Sequence, residues 1–373
     1  MTSAIYDLPH HDRRPGPFPI VSSAGVTDYH AEAKARGPGV VTGRYGTLGE
    51  VFFVEGDFWP LNTALYVRDF KGSDPRFISY FLRQLNFGTQ NAAGAVPGVN
   101  RNHLHAMDVR VPPPGLQLRI AAVLVAYDNL IENCERRIRV LDEMARTLYR
   151  EWFVLFRYPG HERQTTPATL PNGWQRVPVS QVYAGLYDGP HATPAPSSAG
   201  PVFLGIGNLT ADARLDLSEV RHIAEEDFSR WTKRVTPQAG DIVFTYEATL
   251  HRYALIPDGF RGCLGRRLAL IRTDPAKRCT YFLFFTLLSD AWREVVTRNI
   301  LSGATVDRIP LSRLPDFPIN LPPAQLVARF DEAVRPMVDQ QARLIELKAN
   351  LRKTRDLLLP RLLSGQLAVE DVA

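Results

Sequence analysis

Residues 111–152 read VPPPGLQLRIAAVLVAYDNLIENCERRIRVLDEMARTLYREW. Within them Ile120, Leu124, Tyr127, Ile131, Cys134, Ile138, Leu141, Ala145, Leu148 and Trp152 alternate at spacings of four and three without a break, the seam of a coiled-coil helix. At ~1.5 Å per residue, a helix of about 40 residues is ~60 Å long, well beyond the core of one small domain. A second such segment follows Leu321-Pro322-Pro323, where Met337, Leu344, Leu351 and Leu358 recur every seven residues. Its interleaved positions Gln341, Lys348 and Arg355 are polar, and Pro336 predicts a kink, so this is the less regular helix.

Both helical segments follow a Pro-Pro, and what precedes them is also duplicated. Gly39-Val40-Val41 leads to Gly46-Thr47-Leu48 as Gly240-Asp241-Ile242-Val243 leads to Ala248-Thr249-Leu250. Thr63 to Arg68 matches Leu268 to Arg272, Asp74-Pro75 matches Asp274-Pro275, and Tyr80-Phe81 matches Tyr281-Phe282. Tyr6-Asp7-Leu8-Pro9-His10 resembles Tyr187-Asp188-Gly189-Pro190-His191, which puts His10 with His191, and Asp7 with Asp188 as turn caps. Short β-branched and aromatic runs with Gly and Pro punctuation, and short helices near Phe77–Leu85 and Tyr281–Val296, give each half an α+β character. The expected architecture is α+β: two repeated mixed α/β domains separated by a pair of long helices that form an antiparallel coiled coil. The boundaries expected are 1–112, 113–158 for the central helix, 159–321, and 322–373 for the C-terminal helix.

Composition sets bounds but decides little. The 373 residues are 45% hydrophobic and 22% charged, with a formal charge of +5, the mix of an ordinary multidomain soluble protein. No run of about 18 uncharged apolar residues occurs, and Met1 to Pro19 carries Asp7, Asp12, Arg13 and Arg14 where a signal peptide has its apolar stretch. A cytoplasmic protein without a membrane segment is expected. The three cysteines, Cys134, Cys263 and Cys279, lack paired spacing and read as plain thiols. His103-x-His105 lacks further ligands at zinc spacing, so no metal site is expected.

With the layout domain, helix, domain, helix in place, the sequence resembles the specificity subunits of type I restriction–modification systems. The resemblance is carried by Leu170-Pro171-Asn172-Gly173-Trp174, by the Gly39-to-Leu48 and Gly240-to-Leu250 segments, by Pro112-Pro113 through Trp152-Phe153-Val154, and by Leu357 to Gly365. It covers nearly the whole chain, and its force lies in the order of the pieces, repeated twice. The resemblance implies a non-catalytic, DNA-binding subunit with two target recognition domains, each reading half of a bipartite site on double-stranded DNA, and a role in phage defence. It implies that the helices space those domains and scaffold two methylation subunits, and that restriction/translocase subunits join for cleavage. No cofactor is expected in this chain; S-adenosylmethionine belongs to the methylation subunit. The first half departs from the pattern, because only Met1 to Ile5 precede Tyr6. Either the start lies upstream or the first domain begins short, which leaves its edge strand open.

Base reading needs donors and acceptors that reach base edges, and phosphate contacts need cations or free amides. Gly43-Arg44-Tyr45-Gly46-Thr47 offers an arginine beside an aromatic among small neighbours, so Arg44, Tyr45 and Thr47 are candidate DNA contacts. The matching loop runs Tyr246-Glu247-Ala248-Thr249-Leu250-His251-Arg252, with Tyr246, Glu247, His251 and Arg252 as candidates. A carboxylate facing DNA is tolerable mainly where it accepts from a cytosine amino group or orients an arginine. Asn100, Arg101 and His103 before the first Pro-Pro, Arg266 and Arg267, and Lys233 beside Trp231 complete the set; the bland alternative is turn residues and solvated charges. The rival reading is a self-contained DNA methyltransferase or nuclease. Phe203-Leu204-Gly205-Ile206-Gly207-Asn208 resembles a glycine-rich methyl-donor loop only superficially, and Asn320-Leu321-Pro322-Pro323 lacks the aromatic that would stack on a target base.

Overall fold

A computed structural model describes residues 1–44, 50–85, 99, 101–161, 169–302 and 306–369, excepting the His103 side chain. The chain divides into two units, Met1–Glu135 with Glu346–Ala373, and Arg136–Ile345.

In the first unit, β1 (Thr2–Ser3), β4 (Gly39–Gly43), β5 (Val51–Val54) and β7 (Ala64–Tyr66) form a sheet of order β1-β7-β4-β5. A second sheet of order β3-β2-β6 joins β2 (Phe18–Ser22), β3 (Gly25–His30) and β6 (Trp59–Pro60), with β2 parallel to β6. The apolar run of β4 is buried throughout, as a strand paired on both sides requires. Next come α1 (Pro75–Gln84), α2 (Arg101–His105) and the long α3 (Pro114–Tyr149), which continues as one π-helical turn over Arg150–Val154. Asp74 starts α1 by accepting from the Phe77 N–H at 2.7 Å, with Pro75 at the first helical position.

The second unit opens with β8 (Gln175–Pro178) and repeats the pattern. Here β9 (Tyr183–Asp188), β12 (Ile242–Thr245), β13 (Tyr253–Leu255) and β15 (Leu268–Thr273) form a sheet of order β13-β12-β15-β9. Its companion, of order β11-β10-β14, joins β10 (Ser197–Leu204), β11 (Arg221–His222) and β14 (Gly262–Leu264), again with one parallel pair, β10 with β14. The remaining elements are α4 (Phe228–Trp231), α5 (Thr280–Leu288), α6 (Asp290–Asn299), the small pair β16 (Leu301–Ser302) and β17 (Asp307–Arg308), and β18 (Pro318–Leu321), which pairs with β8. The chain ends in α7 (Ala324–Leu363), helical without interruption through Pro336.

Hydrogen bonds fix how the halves correspond. Leu116 N–H to Pro113 O is matched by Leu326 N–H to Pro323 O, Val99 N–H to Arg44 O by Ile309 N–H to Tyr246 O, and Ala4 N–H to Ala64 O by Gly189 N–H to Leu268 O. The last pair corrects the sequence match at the start of the repeat. Thr2 pairs with Tyr66 as Tyr187 pairs with Leu270, so Thr2, not Tyr6, is the counterpart of Tyr187. His10 and His191 are therefore not equivalent, and Asp7 and Asp188 are not matched caps. Asp7 accepts from Leu8 N–H, whereas Asp188 faces the Arg234 and His191 side chains. The edge position of the first sheet is filled, though by the two residues of β1 alone.

The helices pack antiparallel in each unit. In the second, Gln341 Nε2 donates to Ile138 O at 3.4 Å, and Tyr149, Trp152 and Phe153 meet Phe330 with ring centroids 6.0, 5.9 and 4.9 Å apart. Trp174 closes that aromatic core against Phe153 and Phe156. In the first, Arg352 pairs with Glu135 at 2.7 Å and Arg355 with Asp128, while Ile120 and Leu124 are buried with Leu359 and Leu362. The three polar seam positions of α7 thus find α3 partners: Gln341 a carbonyl, Lys348 and Arg355 carboxylates.

Candidate nucleic-acid interface

Antiparallel pairing in the second unit brings the end of β9, the end of β12 and the start of β15 to one edge of the sheet. Close backbone approach fixes that edge. A Cβ on Gly189 would lie 2.2 Å from Gly265 O, so only glycine lets the segment after β9 lie against the turn before β15. Tyr246 is the hub. The residue is 4% exposed, its hydroxyl donates to Arg266 O at 2.9 Å, and its N–H donates to Arg267 O at 3.2 Å. Burial, then the negative charges of Glu247 and Asp188, push its hydroxyl up to about 12, against the opposing pull of Arg234 and Arg308.

Around this hub the charges differ in availability. Asp188 binds Arg234 and His191; burial works against its ionisation, yet those two hydrogen bonds hold it below the usual carboxylate range. Arg266 is exposed and Arg267 half-buried. Glu247, half-buried, lies in an antiparallel bridge with exposed Arg308. Farther along the loop, Arg252 turns inward, Nη1 donating to Leu209 O at 3.1 Å. Burial, then the Arg293 charge, lowers the pKa of His251, which favours its neutral form.

The corresponding edge of the first unit is built on Arg44, whose N–H donates to Thr63 O at 2.8 Å and whose carbonyl accepts from Val99 N–H at 2.9 Å. Arg101 is exposed at the start of α2. Burial first and the Arg101 charge second lower the pKa of the Met1 amino group, and His105 Nε2 lies 2.8 Å from Met1 O.

Comparison with known proteins shows what the chain is similar to. A model described as the type I restriction modification DNA specificity domain matches residues 11–143. The type I restriction enzyme MjaIX specificity subunit of Methanocaldococcus jannaschii is 23% identical over 306 residues, 79% of this chain and 67% of that protein. The EcoprrI specificity subunit of Escherichia coli is 27% identical over 130 residues, 35% of this chain and 32% of its own. The crystal structure of a type I restriction–modification S subunit from M. genitalium covers 97% of this chain and 92% of its own, with a TM-score of 0.63 at 12% identity, a likeness of fold. Residues 11–143 thus match a type I DNA specificity domain, and most of the chain is similar to type I specificity subunits.

A specificity subunit supplies DNA recognition, not catalysis, and the rival reading as a self-contained methyltransferase or nuclease has no support from these relatives. Of the candidate contacts, the second unit gathers Tyr246, Glu247, Arg266 and Arg267 at one edge. Lys233, exposed, adjoins Arg234, which reaches the same edge through Asp188. His251 and Arg252 face other parts of the unit. Arg44 and Arg101 lie in the first unit, on either side of Val99. Tyr45, Thr47 and Asn100 lie outside the described residues, as does the His103 side chain. Arg308 escaped the sequence reading. The signal was its place just before Ile309, the counterpart of Val99, which precedes Asn100-Arg101 in the first half. Among the described residues no cluster of three metal-ligating side chains occurs, and no helix is long and apolar enough to cross a membrane.

Proposed function

We propose that this specificity subunit reads a bipartite sequence on double-stranded DNA, one half-site per unit, through the loop edges built on Arg44 and on Tyr246. The observation that carries the reading is the duplication: the same hydrogen bonds organise both edges, and each sits on a sheet of the same strand order. Arg44, Arg101, Lys233, Glu247, Arg266 and Arg267 are the proposed contacts among the described residues, with Tyr246 as their support; Tyr45, Thr47, Asn100 and His103 belong to the same proposal from sequence. His251 and Arg252 stay in it as weaker members, because Arg252 already serves a carbonyl.

The paired helices, in this proposal, dock two methylation subunits, which bring S-adenosylmethionine, and restriction/translocase subunits join the assembly in the cytoplasm. A chimera tests independent reading. Residues 159–321 exchanged for those of another specificity subunit should change one half-site of the methylated motif and leave the other as it was. A change in both half-sites would contradict it.

A further inference from the structure

Glu247 and Arg308 face each other in an isolated antiparallel bridge. The hydrogen bonds on either side run from Ile309 N–H to Tyr246 O at 2.8 Å and from Ala248 N–H to Asp307 O at 3.1 Å. That pattern makes them a non-hydrogen-bonded pair, the kind in which the two Cα atoms come closest and both side chains leave on the same face. Opposite charges held this way would ordinarily close on each other. Ion pairs elsewhere in the unit take up Arg214, Arg234, Arg261, Arg272, Arg278 and Arg298, but among the described residues neither Glu247 nor Arg308 joins one. The backbone beneath this pair is fixed, since Tyr246 is buried and tied to both Arg266 and Arg267.

Two opposite, unpaired charges side by side match one feature of duplex DNA. In the major groove a G·C pair presents the guanine O6 and N7 acceptors next to the cytosine amino donor, and no other base pair offers an arginine and a carboxylate their preferred partners together. A carboxylate near phosphates is repelled unless it gains such a donor. We propose that Arg308 and Glu247 together read a single G·C pair in the half-site of the second unit, the guanidinium donating to guanine and the carboxylate accepting from cytosine. The first half has no such pair. Counted from Arg44 and Val99, its sequence carries Tyr45 and Gly98 at the two positions, so the feature belongs to one half-site.

This inference rests on the proposed reading of DNA, and the test separates the two. The chain is co-expressed with its methylation subunits, and the methylated motif is mapped by sequencing for the wild type, Arg308→Ala, Arg308→Lys, Glu247→Ala and Glu247→Gln. The expected result is a wild-type bipartite motif with a G·C pair that both alanine variants relax by roughly 10- to 100-fold in discrimination, the other half-site staying intact. Arg308→Lys, which keeps the charge, should still relax that position, whereas a phosphate contact would survive the change. An unchanged motif in all four variants, or an equal loss at every sequence, overturns the Arg308–Glu247 assignment alone. A wild-type complex that methylates no bipartite motif overturns the proposed function with it.

Discussion

Asp331 is a carboxylate that folding places where water cannot reach it. It is 2% exposed on α7, and its two oxygens accept the N–H groups of Tyr281 and Phe282 at 3.0 and 2.8 Å, the otherwise unpaired donors at the start of α5. Burial outweighs these hydrogen bonds and pushes it up to about 6. Between its unfolded value near 3.8 and about 6 the native state therefore holds the extra proton, so the stability it contributes is full below that window and falls as pH rises through it. Thermal melts of Asp331→Asn between pH 4 and 6 should lack this component of the wild-type slope, and an unchanged slope would show that another group titrates. Asp331→Ala, which strands both donors, should cost about 2 kcal/mol in denaturant unfolding.

At the scale of the element, the long helices show why one seam could be read and its partner only in part. The unbroken 4–3 spacing of α3 predicts burial, and all ten seam residues are buried or half-buried. In α7 the polar seam positions became intelligible only with their partners, because a carboxylate 227 residues away in sequence leaves no local period. Asp128 joins three elements, accepting from Tyr80 of α1 and Arg355 of α7. The equivalences set by Pro113 and Pro323 put Val338 and Ala145 at these two positions in the other half, so one copy of the seam is ionic where the other is apolar. Asp128→Ala should speed hydrogen exchange across Pro75–Gln84 and cost about 2 kcal/mol by leaving the Tyr80 hydroxyl without its acceptor and Arg355 with Asp356 alone. The double variant Asp128→Val with Arg355→Ala should cost less than the two single changes added; strict additivity would mean that the pair does not couple. Strand register was the least legible feature. A two-residue strand such as β1 has no alternation to detect, and the likeness of Tyr6-Asp7 to Tyr187-Asp188 pointed four residues away from the true counterpart. The edge on Tyr246 was legible in its residue types, but its grouping with Arg308 depends on a bridge between segments far apart in sequence.

For the whole molecule, the duplication gives the small net charge its meaning. A surplus of +5 spread over two units is modest for a protein that would bind DNA unaided, as expected if partner subunits neutralise much of the phosphate charge and this chain chiefly reads bases. If the paired helices set the spacing of the two half-sites, inserting one heptad into both α3 and α7 should lengthen the unread gap of the methylated motif, and an unchanged gap would remove the helices from that role. The most direct test of the central claim is the methylome of cells that carry the methylation subunits with and without this chain. The account predicts one bipartite methylated motif that is present with the chain and lost without it. Persistence of every methylated motif after deletion would contradict it.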